Sequence, residues 1–308
     1  MEQRQSLHAL FKSGWTLNSP IPSSINIESL SKTLTWISSL GVDEIESRNA
    51  LLLISKEKEM VFNPLKTLVS LLYSPRNLQC KAANALGTLC MNTEIVFEIV
   101  SNPSTIGNEM MDGLIQMLKS DNYWAHGDAC YVLGWIAAYA KHEQISNEME
   151  ESLCLTFHHV VALLETYLPC HQTSSIAHFH NLFDKQMNFR IYALVFILNI
   201  TASSRSMIWK QKEDRICNDM VWWKSLLSSL RMLILEEREE RDVHEEESDR
   251  LPLILAIVNT CAFQSDVIRT YLTQEKWLAL LIATPSVMAQ DAGKSIVQRL
   301  IQHSRSTR

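Results

Sequence analysis

The sequence predicts an all-α protein, a right-handed α-solenoid of about six helical repeats. Three observations support this prediction. Glycine and proline number only eight each in 308 residues, too few for a chain of short strands and tight turns. Apolar residues make up 46% of the chain and recur at helical spacing. One apolar template also recurs, and units that cannot bury an apolar face alone must stack on their neighbours.

The clearest two copies of the template are offset by 47 residues. Lys81–Leu89 reads KAANALGTL and Asp128–Ile136 reads DACYVLGWI. They share an alanine, two residues, a small or branched residue, Leu-Gly, one residue and an aliphatic residue. The stretches before them, Leu68–Ser74 and Leu114–Ser120, match at an offset of 46 residues. Because positions three and four apart lie on one helical face, each copy predicts a pair of packed helices.

Four looser copies extend the pattern along the chain, at Ser47–Ile54, Ala193–Ile200, Leu253–Thr260 and Ala289–Ile296. We predict a second amphipathic helix before each of the six copies, at residues 27–40, 63–74, 110–120, 153–168, 221–235 and 274–284. A small residue at the first template position, such as Ala82, lets a helix approach its neighbour closely. The aliphatic residues behind it then fill the layer between units.

The template resembles the armadillo repeat, whose long third helix reads roughly A-A-W-A-L-x-N-L; the related HEAT repeat leaves a similar trace. The resemblance spans about residues 27–303, which we predict to be one repeat domain. An N-terminal extension, 1–26, precedes it and a short tail, 304–308, follows it. Insertions at 169–186 and 236–250 interrupt the period and are expected to form loops on one face. The alternative interpretation is a stack of amphipathic helices without true repeats.

The second insertion contains an acidic run, residues 236–249, with the sequence EEREERDVHEEESD. Its nine acids and two arginines give a local charge of −7, so the rest of the chain carries only +1 of the net −6. Glu–Arg spacing allows the run to extend a helix, but we expect most of it to be solvated and mobile. The run either serves as a solubilising linker or attracts a basic partner. The nearly neutral remainder argues against nonspecific nucleic-acid binding.

The resemblance implies a concave groove lined by the third helices, where a Trp and an Asn one turn apart hold an extended peptide. The residues at the Trp positions are Asn84, Tyr131, Val195 and Leu255. Those at the Asn positions are Thr88, Trp135, Asn199 and Asn259. Only the last two retain the family residue. We therefore expect this groove to bind something other than a standard basic import signal.

Other side chains at neighbouring template positions belong to the same predicted groove. Tyr131, Trp135 and Tyr139 are spaced i, i+4, i+8, which is typical of a binding anchor or of core packing. Lys81 and Asp128 are matched positions of opposite charge that either set the register of a partner or are solvated surface charges. Tyr192 comes directly before the template copy Ala193–Ile200 and is also predicted to line the protein-binding groove.

A histidine- and cysteine-rich region raises the question of zinc. Its members are Cys154, His158, His159, Cys170, His171, His178 and His180. Their spacing matches no zinc signature, so we predict no metal site there. A second aromatic group, Trp209, Trp222 and Trp223, either packs in the core or marks another binding patch, and we expect the core.

The chain lacks the sequence motifs of common enzymes, including G-x-S-x-G, a glycine-rich phosphate loop and H-E-x-x-H. It has neither a signal peptide nor a membrane-spanning apolar stretch, so we expect an intracellular protein of the cytoplasm or nucleus. The predicted function is a non-enzymatic scaffold or adaptor, without a cofactor, that binds a peptide or helix of another protein. An obligate structural subunit and a nucleic-acid-binding helical repeat protein are the alternatives.

Overall fold

The regular secondary structure of the described residues is helical. The computed structural model describes residues 25–39, 64–74, 76–101, 106–143, 145–168, 176–203, 207–210, 220–241 and 250–306. The chain divides into two compact units, Met1–Thr156 and Phe157–Arg308. Helix Asn147–Thr166 contains the boundary between them. None of the helices in the described part of the chain is long and apolar enough to cross a membrane.

In the first unit, some helices lie side by side and others pack behind them. Its helices are α1 (Ile27–Ser38), α2 (Pro64–Ser70), α3 (Arg76–Leu89), α4 (Thr93–Ser101), α5 (Asn108–Leu118), α6 (Tyr123–His142) and the start of α7 (Asn147–Thr166). A 3-10 turn, Leu71–Tyr73, follows α2. Helices α1, α3 and α6 lie side by side in that order, and α2 and α5 pack behind α3 and α6.

The α3–α6 pair has the arrangement that the two best template copies predict. The fully buried residues of α3 include Ala82, Ala85, Leu86 and Leu89. Their equivalents in α6, listed in the same order, are Ala129, Val132, Leu133 and Ile136, and these are buried too. The small first residue lets the two helices approach, and the following apolar residues fill the layer between them.

Helix α1 differs from its prediction as a second, supporting helix. It packs along α3 as α3 packs along α6, and therefore belongs to the same stack. The reason lies in its own buried residues, Leu30, Thr33, Leu34 and Ile37, which have the template spacing with a leucine at the first position. The template copy predicted at 47–54 lies outside the described residues.

The second unit repeats the stacked arrangement. Its helices are the rest of α7, α8 (Ile176–Ala202), α9 (Met207–Lys210), α10 (Met220–Arg241), α11 (Arg250–Gln264), α12 (Asp266–Gln274), α13 (Trp277–Ala283), α14 (Pro285–Met288) and α15 (Asp291–Ser306). Helices α8, α11 and α15 lie side by side. Helix α10 packs against α11, and α12, α13 and α14 pack against α15. We call α1, α3, α6, α8, α11 and α15 the stacked helices.

The predicted template register is wrong in the last two stacked helices. In α11 the buried set is Ile254, Ile257, Val258 and Cys261, one residue after the predicted one. In α15 it is Gly293, Ile296, Val297 and Leu300, four residues after it. Ala289 lies in the turn that follows α14, so it cannot begin the template. A Cβ at Gly293 would lie 2.1 Å from the carbonyl oxygen of Val287, so only glycine permits this contact.

Parts of both predicted insertions are helical. Residues 176–186 of the first belong to α8, although their side chains lie outside the described part. In the second, α10 continues to Arg241 and α11 begins at Arg250, while 242–249 is outside the described residues. The expectation that most of the acidic run is solvated is wrong for Glu236 and Glu237, because each pairs with a buried arginine.

Candidate protein-binding surface

Helix α6 presents one narrow face outside the core. Its other faces are buried, from Ala125 to Ala137. Five of the side chains that remain at least partly accessible follow one another three or four residues apart, and they are Trp124, Asp128, Tyr131, Trp135 and Tyr139. Residues at this spacing form one stripe along a helix. We call these five residues the α6 stripe.

Tyr131 is held in the stripe by its contact with α3. A Cβ at Gly87 would lie 2.3 Å from Cδ1 of the tyrosine ring, so the ring lies directly against the backbone of α3. The Tyr131 hydroxyl donates to the Sδ atom of Met91 at 3.8 Å. Gly87 is the glycine of the Leu-Gly pair in the template, which explains why a glycine occurs there. Tyr131 is therefore partly packed, while Trp135 and Tyr139 continue the stripe beyond it.

Asp128 is not the solvated charge that one of the two interpretations proposed. Asn84 Nδ2 donates to its carboxylate at 3.1 Å, and the Cys80 thiol also hydrogen-bonds to it. Burial raises the pKa of Asp128 to about 7, against the opposing effect of these two bonds. Burial and the neighbouring carboxylate raise the pKa of Cys80 to about 12, so the thiol stays protonated. Asn122, the N-cap of α6, donates to the Cys80 sulfur at 3.3 Å.

The polar residues predicted on α3 connect neighbouring helices. Lys81 Nζ donates to Ser31 Oγ of α1 at 2.5 Å. The Thr88 hydroxyl donates to the Ser38 carbonyl oxygen at 3.3 Å. Thr88 is only 3% exposed, so its prediction as a groove-lining residue is wrong: the hydroxyl is used inside the stack. Asn84 remains exposed and forms the equivalent link to α6.

In the second unit, the predicted residues occupy partly accessible positions on two stacked helices. Tyr192 and Asn199 lie on α8 and Asn259 lies on α11, all half-buried. Asn259 Oδ1 accepts a hydrogen bond from Arg299 Nε of α15 at 3.3 Å. Leu255, the residue at the expected Trp position, is fully buried because the register of α11 is shifted.

The second aromatic group is mainly a packing feature. Trp223 is buried, and its ring stacks on Trp209 at 4.8 Å between centroids. Phe157 packs beside it at 5.8 Å. Trp222 lies at the edge, where its ring stacks on His158 at 4.9 Å.

The described residues contain no group of three ligand-type side chains that could hold a metal ion. His158 contacts the Trp222 ring, and Cys154 is buried. The other predicted members, Cys170, His171, His178 and His180, lie outside the described side chains. The remaining described cysteines, Cys90, Cys130 and Cys261, are buried, whereas Cys80 is half-buried beside Asp128.

Two residues of the candidate surface, Trp124 and Arg299, were not predicted from the sequence. Trp124 is 45% exposed and begins the α6 stripe, four residues before Asp128, so continuing the i, i+4 spacing backwards would have found it. Arg299 occupies the template position of Trp135 and Asn199 in α15. This template position can be recognised only when the template in α15 begins at Gly293 instead of Ala289.

The chain matches no protein-family model and no curated protein. Its fold, however, is similar to solved structures over almost the whole length. A designed armadillo repeat protein aligns with a TM-score of 0.56 at 16% identity, covering 96% of this chain and 98% of that one. Crystal structures of two engineered proteins align with TM-scores of 0.57 and 0.55 at 13% and 14% identity. They cover 98% and 99% of this chain and the same shares of their own. The chain is thus an all-α solenoid with an armadillo-like repeat fold.

Proposed function

From this armadillo-like repeat fold we propose that the chain is a non-enzymatic scaffold or adaptor that binds a peptide or helix of another protein. Within each unit, the proposed binding surface lies on the accessible faces of the stacked helices of that unit. The α6 stripe is the observation that carries the proposal for the first unit. Aromatic side chains supply large contact area at low entropic cost and dominate binding hot spots, so a row of them at a surface favours protein binding.

The mode of binding follows from the chemistry of the surface. Tyr131, Trp135 and Tyr139 offer apolar faces, while the nearby polar groups Lys81 and Asn84 already bond within the stack. A partner therefore gains more from placing apolar side chains on the stripe than from main-chain hydrogen bonds to it. An amphipathic helix or a peptide with apolar residues at regular spacing fits this surface best.

The test is a matched pair of variants in the full-length chain, Trp135→Ala and Phe97→Ala. Phe97 is an aromatic residue of the same unit, 56% exposed on α4, which is not a stacked helix. Proteins recovered with each variant from cells are compared with those of the wild type, and binding of the recovered partners is then measured with purified components. We expect Trp135→Ala to weaken binding by about 2 kcal/mol, roughly thirtyfold.

Unchanged thermal unfolding of Trp135→Ala would establish that the loss arises at the surface. Equal partner sets for the wild type and Trp135→Ala would contradict the proposal, as would an equal loss with Phe97→Ala.

A second candidate function is an obligate structural subunit, favoured by large apolar side chains that are exposed outside the stripe. These include Phe97, Leu155, Val221, Phe263 and Ile282. Burial of such residues in a permanent assembly removes apolar area from water. Sedimentation of the isolated chain distinguishes the two: a well-behaved monomer at high concentration favours the adaptor, and self-association or precipitation favours the subunit.

A further inference from the structure

Arg299 differs from three other arginines of the second unit in the groups that hold it. Arg190 pairs with Glu236 at 2.9 Å, Arg250 pairs with Glu237 at 2.6 Å, and Arg269 pairs with Asp266. Arg299 is held by neutral groups instead. Its Nε atom donates to Asn259 Oδ1 at 3.3 Å, and its Cζ atom lies 4.9 Å from the centroid of the Phe263 ring.

This arrangement fixes the guanidinium and leaves part of it unused. The position over the Phe263 ring and one hydrogen bond from Nε fix the place and the direction of the group. Within the described part of the chain, the hydrogen bond of Arg299 to Asn259 runs through Nε and not through the two terminal nitrogens. An arginine presents these nitrogens as a fork that matches both oxygens of a carboxylate. The guanidinium is thus positioned for a bidentate partner that the described chain does not supply.

The stacked helices around Arg299 carry little negative charge, and Asp266 of the adjacent α12 is paired with Arg269. Along residues 188–202 of α8 and the whole of α11 there is no acidic residue, and Asp291 is the one acid of α15. Asp291 is paired with Lys294 at 3.2 Å. An incoming carboxylate therefore meets no like charge on these helices, and a basic ligand finds no acid to pair with there.

An apolar contact lies next to the cation. Phe263, whose ring faces Arg299, is 60% exposed at the end of α11. An apolar side chain beside the carboxylate could cover this ring. Binding of a nucleic-acid backbone instead requires several clustered Lys and Arg residues, whereas here a single oriented guanidinium lies beside an aromatic ring and an amide.

We propose that Asn259, Phe263 and Arg299, which we call the Arg299 surface, bind an acidic peptide segment of a partner protein. An Asp or Glu carboxylate of that segment accepts two hydrogen bonds from the terminal nitrogens of Arg299, and an adjacent apolar residue packs on Phe263. The inference rests on the proposed function, because it names the partner chemistry that one part of the stacked-helix surface recognises.

The experiment selects ligands with the full-length chain from a phage-displayed library of random peptides. We expect the enriched peptides to carry an Asp or Glu next to an apolar residue. One enriched peptide, labelled with fluorescein, then serves as the probe for anisotropy titrations of Arg299→Gln. The matched control is Arg305→Gln, an exposed arginine of the same helix for which the structure gives no contact with Phe263.

Arg299→Gln should weaken binding of the peptide about tenfold or more, and Arg305→Gln should change it less than about threefold. Replacing the acidic residue of the peptide by Gln should cause a loss similar to that of Arg299→Gln. The two losses should not add, since both remove the same pair. Thermal unfolding checks that the variant folds. If it does not, Arg299→Lys replaces it: the charge remains but the fork is lost, so an intermediate affinity is expected.

Enrichment of peptides without acidic residues would overturn the inference, as would equal losses for the two arginine variants. Peptides that lose affinity with Trp135→Ala but not with Arg299→Gln would overturn it while leaving the proposed function intact. Tighter binding of a single-stranded oligonucleotide than of any selected peptide, with steep salt dependence, would overturn both.

Discussion

Asp128 illustrates how one buried carboxyl couples the candidate surface to pH. Its pKa lies near 7, above the ordinary value of 3.8, because burial disfavours the charged form. Between about pH 4 and pH 7 the unfolded chain loses this proton while the folded chain keeps it. Stability linked to Asp128 is therefore highest below about pH 4 and decreases as the pH rises to about 7.

Replacing Asp128 by Asn should make the protein more stable at pH 8, because the amide oxygen can still accept the bond from Asn84 and no charge is buried. The expected gain is at least about 1.4 kcal/mol, the equivalent of one pKa unit. Urea unfolding of the variant and the wild type at pH 5 and pH 8 measures it, and the difference between the two proteins should be larger at pH 8.

The matched control is Asp291→Asn, whose side chain is fully exposed and should leave the stability nearly unchanged at both values. Burial lowers the pKa of His126, so this histidine lowers the stability of the folded protein as the pH falls. Because both proteins retain it, it does not affect the difference between them. A gain that is equal at pH 5 and pH 8 would contradict the assignment to Asp128.

For single residues, the sequence predicted the helical face of a side chain better than it predicted the contacts of that side chain. The spacing of Tyr131, Trp135 and Tyr139 was sufficient to place them on one face of α6, because helical geometry alone determines it. It could not show that Thr88 bonds into the stack or that Asp128 is buried. Those facts depend on how closely α1 and α6 approach α3, which no local pattern records.

Among the helices, the C-terminal part of α10 is held by two ion pairs with buried arginines. Two consecutive glutamates bind two buried arginines on different helices: Glu236 pairs with Arg190 of α8, and Glu237 pairs with Arg250 of α11. Arg190 also donates to the Tyr167 carbonyl oxygen at the end of α7. These contacts connect four helices, α7, α8, α10 and α11, and they explain why α10 continues into the acidic run.

Removing the charge of Glu237 should destabilise the protein strongly. In Glu237→Gln, Arg250 stays buried at 4% exposure and loses the charge of this carboxylate, and breaking such a pair costs about 3–5 kcal/mol. Glu28→Gln removes an exposed pair of the same type, Glu28 with Lys32, and should change the stability little. Chemical denaturation monitored by circular dichroism compares the two.

Replacing Glu237 and Arg250 together by methionine should recover much of the loss, because neither charge of this pair then stays buried without the other. Equal stabilities for Glu237→Gln and Glu28→Gln would show that the buried pair contributes nothing.

The extension of α10 shows where element prediction reaches its limit. Composition alone identified residues 236–249 as a highly charged run, and such runs are usually solvated. What composition lacks is the position of Arg190, 46 residues earlier, on the other side of the contact. Partners that are distant in sequence determine whether an acidic residue is solvated or buried.

Over the whole molecule, the repeated template is the level at which prediction worked best. Two copies at a fixed offset were enough to predict the all-α solenoid, because stacking units bury their apolar faces only against one another. The register failed in α11 and α15 because those helices accept more than one apolar pattern. The template copy in α1 was not recognised, because its first position holds Leu30 instead of a small residue. Helix α1 was therefore predicted as a supporting helix, although it belongs to the stack.

Stability in such a stack should depend mainly on nearest neighbours. Ile257→Ala creates a cavity at a fully buried position of α11 and should cost about 2–5 kcal/mol locally. Hydrogen exchange measured by mass spectrometry should then increase in α8, α11 and α15, with little change in α3. A uniform increase across all helices would instead indicate a single cooperative unit.

The links that Lys81, Asn84 and Thr88 make between neighbouring helices also affect the thermodynamics of recognition. A ligand shares these polar groups with the bonds they already make, so its own hydrogen bonds to them bring less net enthalpy. The favourable part of binding then comes from aromatic area removed from water at Tyr131, Trp135 and Tyr139. Association at this face should accordingly show a negative heat-capacity change and little sensitivity to ionic strength.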